Sequence, residues 1–158
     1  MASEKDIYYA NEAYKTVCAA LDDMGWTYQK DEEKLMVSFG VNGENIPMTV
    51  GIVCNLDMQI LQLISFMPFN APSHRMSELA SSICVINYRL AMGSFDLSLD
   101  DGTIMFKLSS SFRETLISTE LVRSLIYVVC STVDESNGDL FALCNGDVTL
   151  KNIMEKYS

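Results

Sequence analysis

From Asn45 to Ser73 the chain carries a single charged side chain, Asp57. A stretch this apolar is either a membrane span or strand material buried in a protein core. The internal pattern decides. Pro47, Asn55, Gln59, Gln62 and Pro68 interrupt it, and its apolar residues recur with a period of two. An antiparallel hairpin buried in a folded domain satisfies that pattern, and a membrane helix does not. Ile46, Met48, Val50, Ile52 and Cys54 share one strand face, Asn55 to Asp57 turns the chain, and Met58 to Met67 forms the returning strand.

The returning strand is apolar on both sides. Met58, Ile60, Gln62, Ile64 and Phe66 share one face, and Gln59, Leu61, Leu63, Ser65 and Met67 share the other. A sheet covered on one side only shows polar residues on its open side. This sequence therefore allows two arrangements: helices on both sides of the sheet, or a second face that meets another chain. Ten methionines favour the interface, because their flexible thioethers adapt to varied partners.

The remaining elements follow from periodicity and punctuation. Ile7, Tyr14, Val17, Cys18 and Leu21 predict a helix over about residues 4–24, stopped at Gly25. Trp26 to Gln29 reads as a short strand, and Leu35, Val37, Phe39 and Val41 as a second, followed by a hairpin turn at Asn42-Gly43. Pro68 to Pro72 breaks the sheet. Ser73 caps a helix that carries Met76, Leu79, Ile83 and Ile86 and ends by Gly93. Phe95, Leu97 and Leu99 pair with Ile104, Phe106 and Leu108 across an Asp100-Asp101-Gly102 turn. Ser118 or Thr119 opens a third helix, which breaks near Gly138, and a last helix covers about 149–157. The order is α-β-β-β-β-α-β-β-α-α. It predicts an α+β fold, with about six antiparallel strands and helices packed on them, as one domain over residues 1–158.

Charge excludes several functions. The chain has 11 basic and 21 acidic side chains, a net charge of −10. Residues 1–34 hold 4 bases against 8 acids, residues 35–90 hold 2 against 3, and residues 91–158 hold 5 against 10. No third is basic, so neither a nucleic-acid backbone nor an anionic membrane surface is an expected partner. The N-terminus has no apolar core of a signal peptide, and the five cysteines, at 18, 54, 84, 130 and 144, show no metal-ligand spacing. Cys18, Cys84 and Cys130 fall in apolar helical stretches and read as small buried hydrophobes. Together these features predict a reducing, cytoplasmic location.

No reaction is legible. His74 is the only histidine, placed at a predicted helix start, where a surface or capping role suffices. Asp96, Ser98, Asp100 and Asp101 resemble a calcium loop in outline. An EF-hand needs Gly at its sixth position and Glu at its twelfth, and Asp101 and Lys107 stand there. Asp31, Glu32 and Glu33 lie in a charged turn between Lys30 and Lys34. There is no phosphate-binding glycine loop and no nucleophile motif. No cofactor is expected.

Ile86-Asn87-Tyr88-Arg89-Leu90, then Met92-Gly93-Ser94-Phe95-Asp96-Leu97, then Asp101-Gly102 are similar to the central signature of YbjN-domain proteins. In these a helix ends in an Asn-containing turn and leads into two strands joined by an acidic-Gly turn. Asp139-Leu140-Phe141 through Gly146, with Thr149 opening the last helix, resembles that family's tail. The likeness is specific over about residues 83–108 and extends by element order to nearly the whole chain. It implies a curved antiparallel sheet with helices packed on it, like that of type III secretion chaperones, often dimeric, and a regulatory role in sensory transduction. The family has no assigned catalytic residues, so none carries over. The apolar two-sided strand at residues 45–67 departs from the family pattern.

These readings converge on a non-enzymatic module that binds a partner polypeptide through an apolar surface and forms a homodimer. Met48, Met58, Met67 and Phe69 are the candidate contact residues. The alternative is a sensory regulator holding a small molecule in an apolar pocket lined by the same residues.

Overall fold

The computed structural model describes residues 1–158. Helix α1 spans Glu4–Asp23, strands β1 to β4 span Gln29–Asp31, Met36–Val41, Met48–Asn55 and Ile60–Asn70, helix α2 spans Met76–Arg89, strands β5 and β6 span Ser94–Leu97 and Thr103–Ser111, and helices α3 and α4 span Thr119–Asn145 and Leu150–Lys156. One six-stranded antiparallel sheet runs in the order β1-β2-β3-β4-β6-β5. This is the α+β architecture and element order expected from the sequence.

Side-chain parity is continuous across the sheet. Val37 pairs with Ile52, Ile52 with Leu63, Leu63 with Leu108, and Phe95 with Phe106. All of these side chains are buried, and they form one apolar core with Ala13, Val17 and Leu21 of α1, Leu79 and Ile83 of α2 and Val122, Ile126 and Val129 of α3. Helix α1 packs on β3 and on α3, helix α3 on β4 and β6, and helix α2 on β5. Every helix–sheet contact lies on this one face. The sheet is not sandwiched between helices.

The chain ends of the helices are satisfied locally. Ser3 and Asp6 form a reciprocal capping box on α1, Ser118 caps α3, and Thr149 and Asn152 cap α4. Arg75 secures the α3–α4 junction. Its Nε donates to the Leu143 carbonyl, its Nη2 donates to the Val148 carbonyl at 3.2 Å, and it pairs with Glu78 at 2.7 Å. Glu78 in turn accepts from the Leu150 amide at 2.9 Å. One guanidinium thus ties the last turn of α3, where the Leu143 carbonyl also accepts from the Gly146 amide, to the Val148 carbonyl of the segment that follows.

Several expectations change, each for a tertiary reason. Strand β1 begins at Gln29 rather than Trp26. Gly25 adopts φ +70° and the Trp26 amide closes onto Leu21, so residues 26–28 are spent clearing the helix, and the Trp26 ring packs edge-on against Phe39 at 5.3 Å. Asn42-Gly43 is not a two-residue turn. The connection runs from Val41 to Met48 and docks on α3: Glu44 N donates to Asp134 Oδ1 at 2.9 Å, and Asn137 Nδ2 donates to the Ile46 carbonyl at 3.3 Å. A Cβ on Gly43 would lie 2.2 Å from that Asp134 oxygen, so glycine is needed for close approach. Gly138 does not break α3, which runs unbroken from Thr119 to Asn145. It lies under Asn45 of the docked loop, and burial of Val133, Asn137 and Leu140 around it outweighs glycine's cost of about 1 kcal/mol in a helix.

Pro68 does not end the sheet either. Strand β4 continues to Asn70 through a register shift between Phe66 and Asn70, which accommodates a residue with no amide hydrogen. Ser73 makes no cap; residues 73–75 form a 3₁₀ turn ahead of α2. Leu99 lies beyond the end of β5 and is 69% exposed. Cys84 points outward from α2, Cys54 is buried, Cys18, Cys130 and Cys144 are half-buried, and all five thiols are free.

Asn87 closes one edge of the sheet. Its Nδ2 donates to the Phe95 carbonyl at 2.9 Å, and its Oδ1 accepts from the Phe95 amide at 2.8 Å. A side-chain amide takes the place of the next strand, on an edge that would otherwise template pairing with another chain. Replacing Asn87 with Ala leaves both Phe95 groups unpaired. The expected loss is about 2 kcal/mol in denaturant unfolding, with increased aggregation on heating.

Candidate functional site

The second face of the sheet carries no helix. Pairing places Met36 beside Val53 and Val53 beside Gln62; Ser38, Gly51, Ile64 and Lys107 form the next row, and Phe66 and Met105 the one after. Met36, Val53, Ile60, Ile64 and Met105 are half-exposed here, and Phe66 is 57% exposed. An apolar surface this continuous costs solvation free energy in isolation, and such patches mark contact sites.

Glycines give this face its shape. Gly40 and Gly51 have ordinary extended backbone, and a Cβ built on either would come no closer than 3.9 Å to a neighbour. Neither backbone strain nor crowding requires glycine at these positions. Their effect is to leave the sheet bare. A hollow of about 460 Å³ results, lined by Met36, Val53, Ile64, Phe66 and Pro68 with the hydroxyl-bearing Ser38 and Thr49. The only charged pair on the strands beside it is Asp96 with Lys107, 3.0 Å apart and both more than a third exposed.

Of the residues singled out from the sequence, Met67 alone lines this hollow. Met48 and Met67 are both buried, on the parity of Val50 and Leu63, and Met67 also closes the hollow beside Pro68. Phe69 is half-buried and meets Phe141 of α3 edge-on at 5.2 Å. Met58 is 57% exposed, in the turn between β3 and β4. The four do not converge. The even-numbered apolar residues of β4 were visible in the alternation, and Gly40 and Gly51 sit at matching parity on β2 and β3. Those were the signals for the open face; methionine content was not.

A second depression, of about 410 Å³, lies between α2 and the C-terminal residues and is lined by Cys84, Val85, Tyr88, Arg89, Met154 and Tyr157. Tyr157 is anchored by hydrogen bonds to Asp139 at 2.9 Å and Ser136 at 3.3 Å, and burial pushes its phenol up to about 12. Elsewhere, no three His, Cys, Asp or Glu side chains are grouped as metal ligands, and His74 is exposed. No helix is long and apolar enough to cross a membrane.

Parity predicts opposite responses to the same change. Ile64→Asp and Phe66→Asp face solvent and are expected to shift unfolding free energy by less than about 1 kcal/mol. Leu63→Ala, on the core face next to Ile64, is expected to cost about 3 kcal/mol. Urea titration of the three variants checks this.

The thiols give a second test. Burial pushes the Cys54 thiol up to about 12 and the Cys130 thiol up to about 11. Because only the thiolate attacks disulfides, Cys84 is expected to react first with a disulfide reagent at pH 8, and Cys54 only after unfolding. A raised thiol pKa in the fold also means that stability is complete below the unfolded value of about 8.5. It falls as pH rises from there toward about 12, and the fall is expected to be shallower in Cys54→Ala.

Comparison with known proteins places the fold. No curated protein matches the sequence. Among solved structures, the "Crystal structure of YbjN, a putative transcription regulator from E. coli" superposes with a TM-score of 0.57, at 15% sequence identity, over 79% of this chain and 91% of that chain. At that identity the likeness is one of fold. The sequence pattern described as "YbjN: Putative bacterial sensory transduction regulator" matches residues 13–145. That span holds all six strands and the helices α2 and α3, including the Asn87 edge lock and both faces of the sheet: the chain belongs to the YbjN family.

Proposed function

We propose that this protein is a non-enzymatic regulatory module, acting as one domain in the cytoplasm, that docks a partner polypeptide on its uncovered sheet face. The observation that carries this reading is the patch formed by Met36, Val53, Ile64 and Phe66, spread over three successive rows of a face that no helix covers. The family's description as a regulator supports a signalling role. Five free thiols suit a reducing compartment.

The shape of the hollow favours a polypeptide over a small molecule. Its volume falls in the range of ligand pockets, but such pockets enclose most of a ligand's surface. This hollow is open along the sheet, where a flat apolar partner excludes water more fully. Binding here means removing the exposed part of Phe66 and the half-exposed neighbours from water, at about 25 cal/mol per Å² of apolar area.

A photo-crosslinking residue placed at Phe66, compared with one at the exposed Tyr127 of α3, tests the reading in cells. Discrete polypeptide adducts at position 66, missing at position 127 and reduced at least fivefold by Ile64→Asp, are the expected result. Equal labelling at both positions, or none at 66, overturns it. A small-molecule ligand would instead raise the melting temperature of the purified protein, and Gly51→Leu would remove that rise by filling the hollow.

A further inference from the structure

The open face is framed by acid. At one end of the strands lie the β1–β2 and β3–β4 turns, with Glu32, Glu33 and Asp57 against the single base Lys34, beside the Lys30-Asp31 end of β1. At the other lies the β5–β6 connection, with Asp100 and Asp101 and no base, while Glu44 of the β2–β3 connection docks on α3. The turns at each end therefore carry a net charge of −2. Between them the face is apolar, and its one charged pair is internally neutralised.

The two ends are separated by the length of β3, eight residues, or about 26 Å at 3.3 Å per residue. An α-helix of about 17 residues has that length.

We propose that the occupant of the open face is a basic amphipathic helix of another protein. Its apolar stripe lies along Met36, Val53, Ile64 and Phe66, and clusters of Lys or Arg at both of its ends meet the two acidic rims. The proposal rests on the docking role above and adds the chemistry of the partner. Charge complementarity separates this occupant from a second copy of the chain. Two copies stacked face to face bring rims of −2 against each other, within a pair already carrying −10 apiece. A helix with cationic ends relieves that repulsion on binding.

The test uses the full-length protein and three synthetic 18-residue helical peptides with the same Leu/Ala stripe. Their ends carry Lys clusters, Glu clusters or neutral Gln. Binding is followed by fluorescence anisotropy at low and high salt. The Lys-ended peptide is expected to bind at least tenfold more tightly than either other, with most of that advantage lost at high salt.

General attraction to an acidic protein is separated by matched neutralisations. Glu33→Gln with Asp100→Asn, one at each rim, is expected to weaken the Lys-ended peptide about fivefold. Asp23→Asn with Glu135→Gln, on the helix layer, changes net charge equally and is expected to leave binding within twofold. Ile64→Asp, checked for native melting, is expected to abolish it. Equal binding of all three peptides, or equal effects of the two double variants, overturns the charge assignment. It leaves the docking face standing if crosslinking at Phe66 persists. A light-scattering mass of twice 17.7 kDa that falls to the monomer in Phe66→Asp makes a second copy the occupant and overturns the proposal. If neither peptides nor crosslinks engage position 66, the docking reading falls as well.

Discussion

Unbroken side-chain parity across six hydrogen-bonded strands is the constraint on which this structure depends. Because successive residues point to opposite faces, a one-residue slip at any pairing would move a whole set of core side chains into water. The alignment of Val37, Ile52, Leu63 and Leu108 in one row holds that register with buried area. The same alignment assembles Met36, Val53 and their neighbours on the opposite side. The exposed patch is therefore a direct consequence of the register that builds the core.

The sheet's two long edges and the helix ends are protected in different ways. Asn87 turns a vulnerable edge into a closed one with two hydrogen bonds to a single residue. The opposite edge is a three-residue strand bearing Lys30 and Asp31, short and charged, as edges that resist association tend to be. Arg75 binds the end of α3 to the segment that follows it. With edge pairing discouraged at both margins, the broad face remains the surface through which the sheet can meet another molecule without extending itself.

Two glycines, Gly43 and Gly138, show how local signals and tertiary contacts diverge. In isolation, Asn-Gly after a strand indicates a tight turn, and glycine late in a helix indicates a stop. In the fold, both lie where the β2–β3 connection docks on α3, and their missing side chains let backbone and carboxylate approach. That contact joins residues some ninety positions apart, beyond the reach of any local rule.

The alternation of the strands, the amphipathic helices with the Ser118 and Thr149 caps, the element order and the acidic charge were legible in the sequence, because each follows from neighbours within a few residues. The same alternation showed that β4 is apolar on both sides. Which side the helices cover was decided only by the tertiary structure, because coverage depends on helices that start far along the chain and all pack on one face. That choice buried Met48 and Met67 and left Ile64 and Phe66 outside. The sequence alone shows an excess of apolar surface; the packing of α1, α2 and α3 determines where that excess meets water.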